Sequence, residues 1–580
     1  MTMTKRQWQH TVDTLIVGSG NGAMTTALCS HILGTADILL IEKDEKIGGT
    51  SALSGGGIWI PNNRYAKAAG AKDSIEDAKA YLTETIPDTI RRDDMIDCYL
   101  ENAPKMVDML HENTRIRYDS LEKYPDYYSN ATGARNGHRS LEPTPFKVTE
   151  LEDELDNILP GTIYMFDRIN MSQHDAQIMS CKEKGAKRLA LKKLFKHYSD
   201  IPWLLKHHRG REVSCGFGGI AQLYIALRER NIPLWRNTAM IELISEDGIV
   251  IGAVVEKEGK RMNIRARKAV VLACGGFEHN QQMREKYLPS PTNTQWSAGT
   301  LSNTGDGINA GLALGAQTSL MDNAWWCTTM HIPRVPYPFL SIVTKAQPGT
   351  IVVNKKGKRF SNESQNYMAF QKELLSLHSE ENPCAPCYMI FDDNFKKKYG
   401  AYPLMGPKWT IPKDYFEEGL VACGDTVEEL ATNAGLDVEN LKQTVNTFNG
   451  YARTGKDLDF KRGDYAYDRY YGDPTNKPNP CLGEILTPPL YSLTLQAGDF
   501  GTQGGLTTNC NAQVLDTEGQ AITGLYATGN CSAAVLPTYP GPGSTLGPAM
   551  TFAYQAAKHI QGQQQQCSNS DQKAEPLATN

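Results

Sequence analysis

The stretch from Val12 to Glu42 constrains the fold most strongly. An apolar run ending at Val17 is followed by the turn Gly18-Ser19-Gly20-Asn21-Gly22-Ala23 and by small residues at helical spacing, and a second apolar run then ends in Glu42. This order predicts a βαβ unit whose turn binds the pyrophosphate of a dinucleotide, with Glu42 accepting hydrogen bonds from the ribose.

Each small residue of the turn has an expected role. Gly18 permits the tight turn, Gly20 lets the backbone approach the pyrophosphate, and Ala23 lets the helix pack on the strand. Free N–H groups near Gly22 and the positive end of the helix then face the negative pyrophosphate. The alternative is an ordinary βαβ turn that binds no ligand.

The residues after Glu42 favour FAD. Lys43 to Pro61 reads KDEKIGGTSALSGGGIWIP, in which two glycine clusters lie a few residues apart. Backbone N–H groups along such a run can follow an extended cofactor, and positions without side chains let a flat ring lie against the chain. The cofactor residues expected here are Lys43, Gly49, Thr50, Ser51, Gly56 and Gly57.

Charge and composition exclude several classes of protein. The 580 residues carry a net charge of -5, which gives no global attraction to nucleic acid. The first ten residues lack the apolar core of a signal peptide, and no apolar run is long enough to span a bilayer, so a cytoplasmic protein is expected. The thirteen cysteines form no framework. Cys384 and Cys387 alone have redox or zinc spacing, and without a second pair no metal site is predicted.

A basic segment lies within an excursion at about 137–211. Between Lys182 and Arg211 there are ten Lys or Arg residues against two acidic ones. Leu191, Leu194, Phe195 and Tyr198 are expected on one helical stripe among these charges. Such a helix can lie on an anionic membrane surface. The alternative is a solvated helix with a salt-bridged face.

Six motifs, separated along the chain, carry a resemblance to a known family. They are GGTSALSGGGIWIP, Pro125-Asp126-Tyr127-Tyr128, Asn303-Thr304-Gly305-Asp306, Arg359-Phe360-Ser361-Asn362-Glu363-Ser364, the strand end ATGN, and Tyr539-Pro540-Gly541-Pro542-Gly543. With them the chain resembles the 3-ketosteroid Δ1-dehydrogenases of the succinate dehydrogenase and fumarate reductase flavoprotein superfamily. The likeness covers nearly the whole chain apart from the basic excursion and the tail.

The resemblance implies an α/β fold: a Rossmann-like, glutathione-reductase-type FAD domain with an inserted α+β catalytic domain. We expect residues 1–323 and 498–562 to form the FAD domain and residues 324–497 to form the catalytic domain. The Gln- and Ser-rich residues 563–580 are predicted to be a disordered tail. Strands joined by hairpin turns at Asp247-Gly248 and Glu258-Gly259 are expected before Ala273.

The resemblance also implies a mechanism. Tyr539 hydroxyl and the Gly543 backbone N–H would donate to a steroid's C3 carbonyl, Tyr367 would take a proton from C2, and hydride from C1 would pass to the flavin. Tyr127 would support Tyr367, because an unassisted tyrosine is a poor base. Phe339 is expected to line the ring pocket.

The implied FAD site extends over further residues, which are Ala273, Asp306, Gly529, Asn530, Thr545 and Leu546. We expect FAD to be non-covalent, because the GGTS run contains no His or Cys. The expected partners are a steroid, such as a cholestenone-type one with its alkyl side chain, and an external acceptor that is quinone-like or dye-like. An anionic membrane surface would be reached through residues 182–211, placing the protein on the inner face of the membrane.

Three alternative functions remain. A ketosteroid dehydrogenase acting on the 4,5 bond would share the flavin domain. A fumarate-reductase-like enzyme would need Arg and His to hold two carboxylates, yet there is no His in 499–505 and no Arg in 536–550. A flavin-bearing protein that binds membrane lipid without turnover is the third.

Overall fold

The largest sheet of the described residues has eight strands and is mixed, with parallel and antiparallel pairs. The computed structural model describes residues 6–165, 169–207, 210–400 and 410–573. In spatial order the main path of the eight-stranded sheet is Leu234–Trp235, Ile38–Ile41, His10–Val17, Lys260–Leu272, Ile249–Lys257 and Thr238–Glu246. Ala521–Ala527 pairs with both Lys260–Leu272 and Gln513–Leu515. The predicted α/β class is confirmed.

The βαβ prediction is also confirmed. Strand His10–Val17 and helix Asn21–Ile32 are joined by the glycine turn, and Ile38–Ile41 pairs in parallel with the first strand. All four residues of Ile38–Ile41 are buried, as expected of a parallel strand covered on both faces. Because parallel strands end at one edge of the sheet, the turn and Glu42 lie together there.

The predicted hairpins join three antiparallel strands. Thr238–Glu246 turns at Asp247-Gly248 into Ile249–Lys257, which turns at Glu258-Gly259 into Lys260–Leu272. Both glycines have positive φ, which these tight turns require. The last strand then runs into the parallel part of the sheet and ends just before Ala273.

A second sheet is drawn from residues 350–495. Its order is Thr350–Val353, Cys387–Asp392, Leu490–Leu495 and Val421–Gly424, all antiparallel. One face packs on Val427–Ala434 and Val438–Thr454, and the opposite face contributes to a core with Phe370 and Leu374 of helix Tyr367–Leu377. Cys384 and Cys387 are buried free thiols at its edge.

Short strands connect these two regions. They are Ile58–Trp59, Ser140–Pro143 and Tyr118–Ser120 in one sheet, and the pairs Phe146–Lys147 with Glu212–Val213, Tyr164–Met165 with Ile169–Asn170, Thr318–Ser319 with Gly505–Leu506, Ala324–Trp326 with Asp499–Thr502, and Thr329–Met330 with Phe339–Leu340.

The remaining helices surround the sheets. They are Gly49–Leu53, Arg64–Ala68, Ile75–Thr85, Asp93–Asn113, Gln173–Ser180, Ala186–Tyr198, Ile201–Leu204, Cys215–Arg228, Gln281–Tyr287, Asp306–Ala313, Asp393–Lys398, Lys413–Glu417, Ala466–Tyr470 and Leu546–Lys573. In the part of the chain that the structure describes, none of the helices is long and apolar enough to cross a bilayer.

The final helix is longer than expected. It runs from Leu546 to Lys573, so part of the segment predicted to be a disordered tail is helical. Gln is a good helix former, and here its propensity outweighs the low apolar content on which the prediction was based. Residues 574–580, also predicted to be disordered, lie outside the described residues.

Candidate active site

A large cavity, about 970 Å³, begins at the ends of the parallel strands. All the predicted cofactor residues except Ala23 line it: Gly18, Gly20, Gly22, Glu42, Lys43, Gly49, Thr50, Ser51, Gly56, Gly57, Ala273, Asp306, Gly529, Asn530, Thr545 and Leu546. Ala23 is instead fully buried in the helix that follows the turn. That position suits the packing role expected of it.

The turn itself fits a nucleotide. Gly18 has φ +113°, and a Cβ there would lie 2.3 Å from the carbonyl oxygen of Ala273, so only glycine is tolerated. The Glu42 carboxylate accepts from Ser19 Oγ at 2.5 Å and from the Asp44 backbone N–H at 3.0 Å. Burial raises the pKa of Glu42, and the hydrogen bond from Ser19 opposes that shift.

The middle of the cavity is fixed by contacts between distant segments. Lys43 Nζ contacts Asp306 Oδ2 at 2.6 Å, and Thr50 Oγ1 accepts from the Thr300 N–H at 3.0 Å and from Asn303 Nδ2 at 3.1 Å. These contacts hold the GGTS run against the 300–306 loop. A long glycine-lined cavity that starts at a helix N-terminus and a half-buried carboxylate fits FAD.

Three tyrosines distant in the sequence meet in the same cavity. The ring centroids of Tyr127 and Tyr367 are 5.4 Å apart, and each lies within 5.6 Å of the Tyr539 ring. Tyr127 hydroxyl donates to Tyr367 hydroxyl at 3.1 Å. All three side chains are buried and line the cavity. The structure therefore brings together the three tyrosines singled out from the sequence.

The turn that carries Tyr539 is held in place by hydrogen bonds that its carbonyl oxygens accept from other segments. Pro540 O accepts from the Tyr127 N–H at 2.9 Å and from Tyr81 hydroxyl at 2.6 Å, and Pro542 O accepts from Ser140 Oγ at 2.8 Å. Tyr539 is itself left-handed, with φ +59°. These bonds keep the turn in one conformation although it contains a strained residue.

Gly543 is close to the hydroxyl of Tyr539. Burial raises the pKa of Tyr539, while a hydrogen bond with Tyr367 and the backbone N–H of Gly543 both lower it. Gly543 has φ +96°, and a Cβ there would lie 2.5 Å from the backbone of Gly57. The two residues expected to bind a ketone therefore line the same cavity, and glycine is required at one of them.

Tyr367 occupies the first position of helix Tyr367–Leu377. The preceding Asn366 caps the helix by accepting from the Ala369 N–H at 2.8 Å. Burial raises the pKa of Tyr367 well above its ordinary value, and the hydrogen bond from Tyr127 lowers it. The positive end of the helix also favours a phenolate at this position. Two features thus favour the ionised form of Tyr367 against the cost of burial.

Buried cations hold the loop before Tyr367. Arg462 donates to Ser364 Oγ at 2.9 Å, and Lys345 Nζ donates to the carbonyl oxygens of Glu363 and Gln365 at 2.7 and 3.2 Å. Glu363 also receives a two-pronged contact from Arg359, at 2.7 and 2.8 Å. The RFSNES motif therefore serves to position the start of the helix.

Several aromatic residues of the site were missed from the sequence. The ring of Phe500 is 5.8 Å from that of Tyr367, and the ring of Trp325 is 5.4 Å from that of Tyr539. Tyr471 also lines the cavity, beneath Tyr124. Two clusters of aromatic residues in the sequence, Trp325-Trp326 and the run YAYDRYYG, could have indicated these site residues. Phe339 lines the cavity as expected and is half-buried.

The basic excursion forms one wall of the cavity. Ala190 and Leu194 of helix Ala186–Tyr198 line it, and Leu194 packs on Ile169 and Met171. Leu194, expected on one stripe with Leu191, is half-buried, whereas Leu191 is exposed. The two residues lie about 60° apart around the helix and so share a stripe, and tertiary packing covers only its Leu194 edge.

The adjoining face of this helix is apolar and exposed. Exposed fractions are 67% for Leu191, 77% for Phe195 and 59% for Tyr198, and Ile201 and Leu205 continue the surface at 62% and 82%. These are five of the fourteen exposed large apolar side chains among the described residues. We call this surface the apolar stripe.

Cations flank the apolar stripe. Lys187, Arg188 and Lys192 are exposed and make no ion pair among the residues that the structure describes. Lys193 and Lys196 instead pair with Asp175 and Glu212 toward the body of the protein. Arg209, another of the counted basic residues, and His208 lie outside the described residues.

Comparison with known proteins gives a matching family and several similar chains. An FAD binding domain family matches residues 13–546. A 3-oxosteroid 1-dehydrogenase of Mycobacterium tuberculosis is 38% identical over 95% of this chain and 98% of its own length. A 3-ketosteroid delta1-dehydrogenase structure from Sterolibacterium denitrificans, in complex with 1,4-androstadiene-3,17-dione, has TM-score 0.92 at 42% identity, covering 96% of this chain and all of that one. A 4-oxocyclohexanecarboxylate 2-dehydrogenase of Sinomonas cyclohexanicum is 34% identical over 96% of this chain and 94% of its own length.

Proposed function

The chain belongs to the 3-oxosteroid 1-dehydrogenase family of FAD-binding proteins, and on this premise we propose that it converts a 3-oxo-4-ene steroid into the 1,4-diene. FAD is the cofactor. The observation that carries the proposal is the meeting of Tyr127, Tyr367 and Tyr539 in the cofactor cavity. Bound isoalloxazine supplies the acceptor for the hydride that leaves C1.

Tyr539 and Gly543 bind the C3 ketone in this proposal. The phenol O–H and the backbone N–H both donate, and both sit on a turn that is held by hydrogen bonds from Tyr81, Tyr127 and Ser140. Donors fixed before the reaction stabilise the negative charge that develops on the ketone oxygen as C2 loses its proton. One such donor lowers the barrier by about 3 kcal/mol.

Tyr367 takes the proton from C2. Its pKa is raised by burial, so it needs help to act as a base at neutral pH. Tyr127 donates to its oxygen, and the helix N-terminus favours negative charge there. Tyr127 therefore assists the base without itself touching the steroid carbon.

We propose that the substrate carries an apolar side chain beyond its ring system. The cavity continues from the tyrosines to apolar residues of the excursion and of the 335–340 loop, among them Leu159, Ile163, Met179, Leu194 and Phe339. A single-ring ketone would leave this region unfilled. A cholestenone-type steroid would bury its alkyl chain there, at about 0.8 kcal/mol for each buried CH₂.

A turnover assay tests the reaction. Purified holoenzyme is incubated with cholest-4-en-3-one and a dye acceptor, and products are separated by mass. We expect loss of two hydrogens and the absorbance of a 1,4-dien-3-one. A saturated 3-ketosteroid lacking the 4,5 double bond is assayed in parallel, since its conversion to the 4-ene alone would support the 4,5 alternative. Turnover of 4-oxocyclohexanecarboxylate but not of steroid would overturn the substrate class.

We propose that the apolar stripe and its flanking cations dock on an anionic membrane surface. Exposed Phe and Leu beside unpaired Lys and Arg is the pattern by which interfacial helices bind such surfaces. The inner face of the same helix lines the cavity, so docking would bring the cavity close to the lipid. A membrane quinone is then the proposed external acceptor, and FAD is proposed to be held without a covalent bond.

Substitution of one exposed phenylalanine tests docking. Phe195→Ser should lower binding to phosphatidylglycerol-containing vesicles about tenfold, because Phe contributes roughly 1.5–3 kcal/mol of burial. The matched control is Phe416→Ser, since Phe416 is also exposed but lies in helix Lys413–Glu417. Equal vesicle binding by both variants would contradict docking through the apolar stripe. The proposed reaction would still stand, because it does not depend on docking.

We also propose the division into domains that the sequence predicted. Residues 1–323 and 498–562 would form the FAD domain and residues 324–497 the catalytic domain. In support, the four-stranded sheet is drawn only from residues 350–495, and Ala521–Ala527 returns to the sheet of the βαβ unit.

A further inference from the structure

Tyr367 must lose a proton in every catalytic cycle. Its side chain is 5% exposed, and burial keeps its pKa well above the ordinary value. The resting residue is therefore a phenol, which has to give up its proton before it can take one from C2. A base enclosed in this way needs a route along which protons leave.

Further phenols continue from Tyr127 away from Tyr367. Tyr127 hydroxyl is 3.1 Å from that of Tyr367, and the hydroxyls of Tyr124 and Tyr471 are 2.5 Å apart. The rings of Tyr124 and Tyr127 lie 6.3 Å apart. Burial raises the pKa of Tyr124 to about 12, while its hydrogen bonds with Tyr471 and Tyr127 lower it. Two hydrogen-bonded hydroxyl pairs, Tyr367 with Tyr127 and Tyr124 with Tyr471, therefore lie next to each other.

The far end of this series lies beneath the basic excursion. Tyr471 lines the cavity, and the adjoining carbonyl of Tyr470 accepts from Gln177 Nε2 at 3.0 Å and from Cys181 Sγ at 3.6 Å. The other titratable groups whose charges interact with those of Tyr124 and Tyr471 are four phenols and a thiol. They are Tyr367, Tyr467, Tyr470, Tyr539 and Cys181. Burial raises the pKa of both Tyr127 and Tyr471 well above the ordinary value, so neither is a phenolate at rest.

We propose that Tyr127, Tyr124 and Tyr471 form a proton relay that carries the proton of Tyr367 to the outer part of the cavity. The relay rests on the proposed function, because it serves the base assigned there. Tyr124 and Tyr471 act through Tyr127 and Tyr367 and do not touch the substrate.

The transfer balances at each atom. The C2–H bond breaks and an O–H bond forms on Tyr367, while the C1 hydride leaves separately with both electrons of its bond. Each hydroxyl oxygen of the relay then gains one proton and gives one to the next, and Tyr471 releases one to water. No electron moves along the relay.

Single hydroxyl deletions test the relay. Tyr124→Phe and Tyr471→Phe are compared with Tyr470→Phe, whose ring stacks on Tyr124 at 4.3 Å and so controls for packing. Flavin reduction by saturating steroid is followed by rapid mixing from pH 7 to 10. We expect each relay variant to be about tenfold slower, with KM unchanged and its pH profile displaced to higher pH. The control should match the unmodified enzyme.

Two results would overturn the relay. One is identical rates and pH profiles for Tyr124→Phe, Tyr471→Phe and Tyr470→Phe. The other concerns the rate of flavin reduction by the unmodified enzyme, measured against the deuterium fraction of the solvent. Transfer of several protons gives a curved dependence, so a linear dependence would contradict the relay. Because the deuterium measurement uses the unmodified enzyme, it still tests the relay if a variant loses its flavin. Failure of the unmodified enzyme to oxidise any steroid would instead overturn the proposed function.

Discussion

Two regions of the molecule use similar side chains in opposite ways. In the cavity, the rings of Tyr127, Tyr367 and Tyr539 are at most 7% exposed and contact one another. In the apolar stripe, Leu191 and Phe195 are more than two-thirds exposed. Burial in the first region raises phenol pKa values and removes water, whereas exposure in the second leaves apolar area free to be covered by a partner.

The charges of the two regions differ as well. Around the tyrosines, the cations Lys345, Arg359 and Arg462 are buried and bonded to the loop before the base. Along the apolar stripe, Lys187, Arg188 and Lys192 are exposed and unpaired within the described residues. Charge therefore positions the backbone in one region and remains available to an external partner in the other.

The largest expected effect is on the base. Tyr367→Phe should lower the rate of flavin reduction about a thousandfold, since general base catalysis contributes about 10²–10⁴. The visible flavin spectrum should be retained. Tyr491→Phe, which alters a buried tyrosine of the second sheet, is the control. Near-normal turnover by Tyr367→Phe would show that the cavity tyrosines only pack.

Loss of the ketone donor should cost less. Tyr539→Phe leaves the Gly543 N–H in place, so we expect about a hundredfold lower kcat/KM. Steady-state assays with the same steroid measure it. An effect confined to thermal stability, with kcat/KM unchanged, would contradict a role for this hydroxyl in ketone binding.

The pH dependence of the reaction should follow the base. Because the pKa of Tyr367 is raised, the phenolate is a minor species at neutral pH and its fraction grows with rising pH. Flavin reduction should therefore quicken from pH 7 to 9, by at most about tenfold per unit. Rapid mixing at saturating steroid measures the rates. A rate that falls over this range would exclude Tyr367 as the base.

The smallest expected effect is on the outer surface. Lys192→Gln should weaken binding to anionic vesicles about fivefold at low salt, since a basic residue near lipid contributes about 1 kcal/mol. Lys456→Gln removes the same charge from another exposed position. Steroid turnover in detergent should be unchanged in both. If the two variants bind vesicles equally, Lys192 is an ordinary solvated lysine.

Local patterns in the sequence predicted much of the fold and most of the site. The glycine turn, Glu42 and the hairpin turns depend on neighbouring residues, and all of them form as expected. The inward direction of Leu194 and the positions of Tyr124 and Tyr471 beside Tyr127 could not be predicted in this way. They depend on contacts outside the local sequence: Tyr471 lies 347 residues from Tyr124, and Leu194 packs on Ile169 and Met171 of another element.

The sequence by itself determined the nucleotide-binding unit, because φ preferences, apolar runs and a helix N-terminus act over a few residues. Only the tertiary structure decided which phenols face one another and which apolar side chains remain exposed. Burial and hydrogen-bond partners are properties of the packed molecule. A tyrosine is buried among other phenols, as Tyr127 is, or exposed, as Tyr198 is, according to what packs around it.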